Sequence, residues 1–71
     1  MYKIQVTYFC ETNQYKPVAA IVQVPSLMHF KKNEAYWVER AKLQIMAKRR
    51  WTSADMEKFG YTDYKVMTVK G

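Results

Sequence analysis

The fold of this 71-residue chain follows from residues 2–10, which read YKIQVTYFC. Apolar or aromatic side chains occupy every second position from Tyr2 to Cys10, and the positions between them are polar except at Phe9. A period of two is typical of a β-strand with one buried face and one solvated face. These residues therefore predict a strand, and the rest of the chain is interpreted around it.

A second strand is expected to pair with the first as an antiparallel hairpin. Residues 15–24 read YKPVAAIVQV, and the link before them is short, polar and contains Asn13, which suits a turn. Pro17 lies near the start of this strand, where a missing N–H does least harm, and Pro25 ends it. Residues 26–32 then form a connector with room for a short helical turn.

One long helix is predicted from Glu34 to about Arg50, because this stretch has neither Gly nor Pro and consists mostly of good helix formers. Asn33 is the expected N-cap. At about 100° per residue, the apolar side chains fall into two clusters on nearly opposite sides. The cluster expected to cover the sheet contains Trp37, Val38, Ala41 and Ile45, and the second cluster contains Tyr36, Leu43 and Ala47.

A short second helix and a third strand complete the prediction. Thr52 followed by Asp55 resembles a capping box for a helix over 53–59, and Gly60 is the residue expected just past its end. Residues 61–69 alternate again and predict an edge strand protected by Lys65 and Lys70.

The sequence therefore predicts one small α+β domain over residues 1–71, in the order β-β-α-α-β. The expected architecture is a three-stranded antiparallel sheet with the long helix packed on one face, and the closing strand has the option of lying beside the first. The expected core contains Ile4, Val6, Tyr8, Val22, Val38, Ala41, Ile45, Phe59 and Val66.

The chain is basic, with 12 Lys and Arg against six Asp and Glu and a net charge of +6. Such a field favours anionic partners. No stretch approaches the roughly 20 apolar residues of a membrane span. The N-terminal residues alternate like a strand and do not resemble a signal peptide. We therefore expect a cytoplasmic protein with no membrane partner.

Residues that could support catalysis are few and scattered. Cys10 and His29 are the single cysteine and histidine, and their spacing gives no support to a thiol–imidazole pair. A small buried side chain and a partly packed ring are the simpler interpretations. The two glycines, Gly60 and Gly71, build no phosphate-binding loop, and no metal-ligand spacing is present. We expect no enzyme, cofactor, metal or small-molecule substrate.

The basic end of the long helix predicts binding to DNA or RNA. Three consecutive cations followed by an indole could hold phosphates while the indole stacks on a base. Alternatively, the cations only complement the helix dipole and Trp51 fills the core. The candidate nucleic-acid-binding residues are Arg40, Lys42, Lys48, Arg49, Arg50 and Trp51.

The second apolar cluster of the long helix supports a competing prediction. Tyr36, Leu43 and Ala47, or an open sheet edge, would serve a protein–protein adaptor, an inhibitor of a host protein or a homodimer. A helix-turn-helix over 51–61 is a further alternative, but a β-pattern follows Gly60 where a recognition helix would be required.

Three segments resemble small uncharacterised proteins of Gram-positive phages and mobile elements. They are MYKIQVTYF at 1–9, KRRWT at 48–52 and KFGYTDYKV at 58–66. The resemblance covers most of the chain and implies neither an established activity nor particular site residues. It implies two expected roles, nucleic-acid binding or inhibition of a host protein.

Overall fold

The computed structural model describes residues 1–11 and 15–69. Its elements in chain order are β1 (Tyr2–Cys10), β2 (Val18–Val24), α1 (Leu27–Lys32), α2 (Glu34–Arg49), α3 (Ser53–Lys58) and β3 (Tyr61–Val69). The predicted α+β class, the antiparallel sheet, the long helix and the short helix after it are confirmed. The connector contains a six-residue helix, α1, where the sequence indicated room for a turn. The turn expected at Asn13 and the cation at Lys70 lie outside the described residues.

The first strand lies in the centre of the sheet. The strand order is β2-β1-β3, and β1 pairs antiparallel with both neighbours. Ile4 of β1 lies opposite Val22 on one side and Thr68 on the other. The register between β1 and β3 shifts near Phe9 and Cys10. The hairpin and the crossover that returns β3 beside β1 are therefore both present.

The core lies between α2 and one face of the sheet. The alternate side chains of β1 from Ile4 to Cys10 are buried together with Val38, Ala41 and Ile45 of α2. Phe59, also expected in the core, packs against it but is only partly buried. Val66 is 40% exposed, so its assignment to the core is wrong. The physical reason is that α2 packs against the β2 side of the sheet and leaves much of β3 uncovered.

The helix ends show which local predictions hold. Thr52 and Asp55 form the complete capping box of α3, and Gly60 has the expected positive φ of 81°. Asn33 precedes α2, but its side chain makes no capping bond to that helix. Its Nδ2 donates instead to the carbonyl of His29, 3.0 Å away, and so helps to close α1. Asn33 is therefore the N-cap residue of α2, as predicted, but its side chain does not cap that helix.

Candidate nucleic-acid interface

The C-terminus of α2 ends in an abrupt left-handed turn at Arg50. Arg50 has φ 58° and ψ 40°, a conformation that costs a non-glycine residue about 1–2 kcal/mol. Its N–H donates to the carbonyl of Ala47, and the N–H of Trp51 donates to that of Met46 at 2.9 Å. This pair of bonds is the Schellman pattern of helix ends. It reverses the chain and turns Trp51 towards the core.

The short helix α3 returns the chain to the same place. Its capping box fixes the first turn, since Asp55 accepts from the N–H of Thr52 and Thr52 accepts from the N–H of Asp55. After α3, the left-handed Gly60 receives a 2.9 Å bond at its carbonyl from the N–H of Glu11. Because the chain after α3 returns close to the point where α3 begins, the aromatic residues before and after α3 are in contact.

We name the resulting depression the aromatic groove. It has a volume of about 460 Å³ and is lined by Tyr15, Lys16, Val18, Arg49, Trp51, Phe59 and Tyr61. The Trp51 ring lies 5.1 Å from the Phe59 ring and stacks on the Tyr61 ring at 5.7 Å with an interplanar angle of 25°. Tyr15 meets Phe59 edge-on at 5.1 Å. Trp51 therefore both packs against the core and lines an open surface.

Tyr61 anchors the floor of the aromatic groove. Tyr61 is 5% exposed, and its hydroxyl donates to the carbonyl of Lys16 at 2.8 Å. This bond ties β3 to the segment that leads into β2. Burial raises the pKa of Tyr61, Cys10 and Tyr15 raise it further, and Arg49 opposes the rise. The hydroxyl therefore stays protonated and keeps donating at neutral pH.

The charges on the walls of the aromatic groove are positive. The guanidinium carbon of Arg49 lies 5.5 Å from the centre of the Trp51 ring, within cation–π range. Lys16 is the second cation, and none of the described lining residues is acidic. These two cations favour a ligand that carries negative charge.

The structure separates the other predicted cations. Lys42 lies about two helical turns before Arg49 on the same side of α2 and is partly buried. Arg50 is exposed beside Trp51 in the chain. Lys48 lines a different groove, at the β2 edge, with Ala19 and Ile21 among its neighbours. Of the predicted set, Arg49 and Trp51 are thus in direct contact, with Lys42 and Arg50 on their flanks.

Arg40 belongs to another surface. It lies nine residues before Arg49, which places the two on opposite sides of a helix with 3.6 residues per turn. Its guanidinium carbon lies 5.6 Å from the centre of the Tyr36 ring, and its Nη1 is 3.3 Å from the Tyr36 hydroxyl. With Leu43 and Ala47 it lines a shallow groove of about 260 Å³. The structure therefore groups Arg40 with the predicted protein interface.

That second apolar face of α2 is uncovered. Tyr36 is 54% exposed, Leu43 is 51% exposed, and Ala47 is also exposed. The apolar cluster that is predicted as a protein interface is thus open to solvent.

Cys10 and His29 have separate partners. The buried thiol of Cys10 donates to the carbonyl of Phe59 at 3.0 Å. The Nδ1 of the exposed His29 accepts from the indole N–H of Trp37 at 3.1 Å. Both arrangements fit the structural interpretations of these two residues. Across residues 1–11 and 15–69, no three His, Cys, Asp or Glu side chains are grouped as metal ligands would be.

Sequence reasoning missed part of the aromatic groove. The sequence pattern predicts Tyr15, Lys16 and Tyr61 only as strand residues and Phe59 only as core, although all four lie around Trp51. The available signal was the crowding of aromatic residues at both ends of a six-residue helix. A periodicity argument assigns each of them to an element but does not show that the ends of α3 meet.

The fold and the groove define a small basic domain with a helix layer on one face of a three-stranded sheet and an aromatic, cationic surface depression. No protein-family model matches the chain, and no curated protein or solved structure matches it either. Within the part of the chain that the structure describes, no helix is both long and apolar enough to cross a membrane.

Proposed function

We propose that this domain is a non-enzymatic module that binds single-stranded nucleic acid. The observation that supports the proposal is the aromatic groove, where four aromatic rings and two cations line one open depression without a described carboxylate. The net charge of +6 acts in the same direction, since it attracts a polyanion at long range.

The proposed binding mode follows from the chemistry of the groove. A base inserted beside Trp51 would gain stacking energy, which is worth about 1–3 kcal/mol per base in single-strand binding proteins. The guanidinium of Arg49, already against the indole, would hold the adjacent phosphate. Duplex bases are stacked on one another and do not offer a free face, so a single strand is the preferred ligand.

The flanking cations would follow the backbone away from this point. Lys42 lies on the same side of α2 about 10 Å from Arg49 along the helix axis, and Arg50 begins the turn into Trp51. Contacts to phosphate carry no sequence information. The proposal therefore assigns affinity to the cations and the choice of single strands to the aromatic rings.

The first prediction tests the groove by fluorescence anisotropy with a labelled mixed-sequence single strand and the matching duplex. Arg49→Gln should weaken single-strand binding and lower the slope of log affinity against log salt by about 0.7, the value for one lost phosphate contact. Trp51→Phe should weaken binding with little change in that slope, because a smaller ring stacks less well. The wild type should favour the single strand.

A matched control distinguishes binding in the aromatic groove from a general effect of positive charge. The double variant Lys31→Gln with Lys32→Gln removes more charge than Arg49→Gln but lies on α1, so it should have the smaller effect.

Trp37→Phe leaves Trp51 as the single tryptophan, whose fluorescence should change on binding. The proposal fails if neither nucleic acid binds at low salt, or if the Arg49 and α1 variants weaken binding equally per charge.

A protein–protein adaptor remains the second candidate, supported by the uncovered face of α2. Tyr36, Leu43 and Ala47 form an exposed apolar surface on which Arg40 provides the charged group. A protein partner held there would remain bound at high salt and be lost in Leu43→Glu, whereas nucleic acid would be released by salt.

A further inference from the structure

The third strand presents an open edge to solvent. β3 runs for nine residues at one edge of the sheet and pairs only with β1. Its residues from Thr62 to Thr68 are all exposed, including Val66 at 40% and Met67 at 59%. Among the described residues, no backbone bond from another element reaches the outer side of this stretch. A long edge of this kind is a template for pairing with another strand.

The opposite edge of the sheet, formed by β2, is less suited than β3 to pairing with an added strand. β2 is shorter, with seven residues, and Pro17 and Pro25 lie immediately outside its two ends. Proline has no N–H to donate, so an added strand could not extend its hydrogen bonds past either end of β2. Within β3 there is neither Pro nor Gly. Its single cation, Lys65, is predicted to protect this edge, but Asp63 lies two residues before it and supplies the opposite charge.

We propose that β3 pairs antiparallel with β3 of a second copy, which joins two sheets into one of six strands. A pairing centred on Tyr64 places Asp63 of each copy opposite Lys65 of the other. This register makes two opposite-charge pairs, related by the two-fold axis, on the sheet face away from the helices. A pairing centred on Lys65 would place two lysines opposite each other, which is unfavourable. The charges of the strand thus select one register.

The side chains on the helix face of β3 suit the same partner. Tyr64 would lie opposite Tyr64 of the second copy, and aromatic cross-strand pairs stabilise sheets. A groove of about 310 Å³, lined by Leu27, Phe30 and Val66 among others, runs along this side of β3. Side chains of an added strand would cover apolar surface there that α2 leaves open.

The second prediction is tested by sedimentation velocity without nucleic acid, from low micromolar to near millimolar concentration. The wild type should show a concentration-dependent dimer. Asp63→Lys and Lys65→Glu should each weaken self-association about tenfold or more, because two attractive pairs become two repulsive ones. Both residues are exposed, so circular dichroism should show an unchanged fold.

Mixing the two variants tests whether these charges meet across the paired edge. One strand then carries two positive charges and the other two negative charges, so an equimolar mixture should form heterodimers although each variant alone is largely monomeric. Lys58→Glu, outside β3, and Leu43→Glu, on the uncovered face of α2, are the controls and should dimerise like the wild type. The proposal is overturned if the wild type stays monomeric throughout, if the mixture does not associate, or if Leu43→Glu abolishes the dimer.

Discussion

At the scale of single residues, Arg50 combines an unfavourable backbone conformation with an exposed positive charge. Its φ of 58° lies in the left-handed region, where helix ends most often have glycine. Strained residues are concentrated at functional sites, because their cost to stability has to be offset by another benefit. In this domain the residue in that conformation is an exposed arginine that directly precedes Trp51 in the chain, and Trp51 lines the aromatic groove.

The third prediction is that Arg50→Gly stabilises the fold while weakening nucleic-acid binding. Relief of the left-handed conformation is worth about 1–2 kcal/mol and exceeds the 0.5–1 kcal/mol of extra backbone entropy that glycine loses on folding. At the midpoints of these two ranges, the expected net gain in the free energy of unfolding is about 0.75 kcal/mol. Urea unfolding measures the first effect, and fluorescence anisotropy measures the second.

Arg50→Ala is the matched control, since it removes the same charge but keeps a Cβ in the left-handed conformation. It should weaken binding as much as Arg50→Gly without the gain in stability. Equal stability of the two variants would contradict the assignment of strain to Arg50.

At the scale of elements, α2 divides its two apolar faces between the core and solvent. Val38, Ala41 and Ile45 are buried against the sheet, whereas Tyr36 and Leu43 are about half exposed. The separation of these two clusters on the helix was predicted from the sequence alone. Which of them would be covered by other elements depends on the paths of α1 and α3.

The fourth prediction compares one residue from each face. Ile45→Ala should lower the free energy of unfolding by about 2–5 kcal/mol, because it removes a side chain that is 3% exposed and leaves a cavity. Leu43→Ala should change stability by no more than about 0.5 kcal/mol, as expected for a surface substitution. Thermal unfolding followed by circular dichroism would show both. Similar losses for the two variants would mean that the second face is also packed.

The elements themselves were predictable because each leaves a local signal. The alternation of residues 2–10, the absence of Gly and Pro in α2, and the Thr52–Asp55 capping box all act within a few residues. The error at Val66 has a different origin. Alternation shows which face of β3 points towards the helix layer, but not that α2 packs over β2 and leaves much of β3 uncovered.

The candidate site was predicted in part for the same reason. Arg49 and Trp51 are close in sequence and were grouped correctly, whereas Tyr15 and Lys16 reach them only through the fold. Arg40 does not belong to this group, because nine residues of helix place positions 40 and 49 on opposite sides of α2. The charge pattern alone does not show this separation. Whether any of these residues binds nucleic acid stays a prediction.

At the scale of the whole molecule, three tyrosines make the stability of the fold sensitive to alkaline pH. Burial raises the pKa of Tyr8, assisted by Glu39 and Tyr64, and burial also raises that of Tyr61. The pKa of Tyr64 is raised chiefly because its hydroxyl donates to the carboxylate of Glu34 at 3.0 Å. All three therefore remain protonated in the folded state at a pH where the unfolded chain has begun to ionise.

The fifth prediction is a loss of stability above pH 10, the ordinary pKa of tyrosine. Below that pH the three tyrosines are protonated in both states, and their contribution to the free energy of unfolding is fully present. Between the unfolded and folded pKa values the unfolded state binds fewer protons, so the free energy of unfolding falls as the pH rises. Urea unfolding over a pH series should show this decline. Tyr64→Phe should make it shallower, and a free energy of unfolding that is constant through this range would contradict the assignment.

The central position of β1 has a consequence for how the chain folds. Lys3 of β1 lies opposite Val69 of β3, so the first strand is not enclosed until nearly the last described residue is available. Pairings between such distant positions slow folding, because the entropy of closing a long loop is lost before the contacts form. On the ribosome, the hairpin and α2 can assemble as soon as they emerge, but β1 keeps one edge without a neighbour until synthesis has passed Val69. The sheet is therefore completed only after the third strand has emerged.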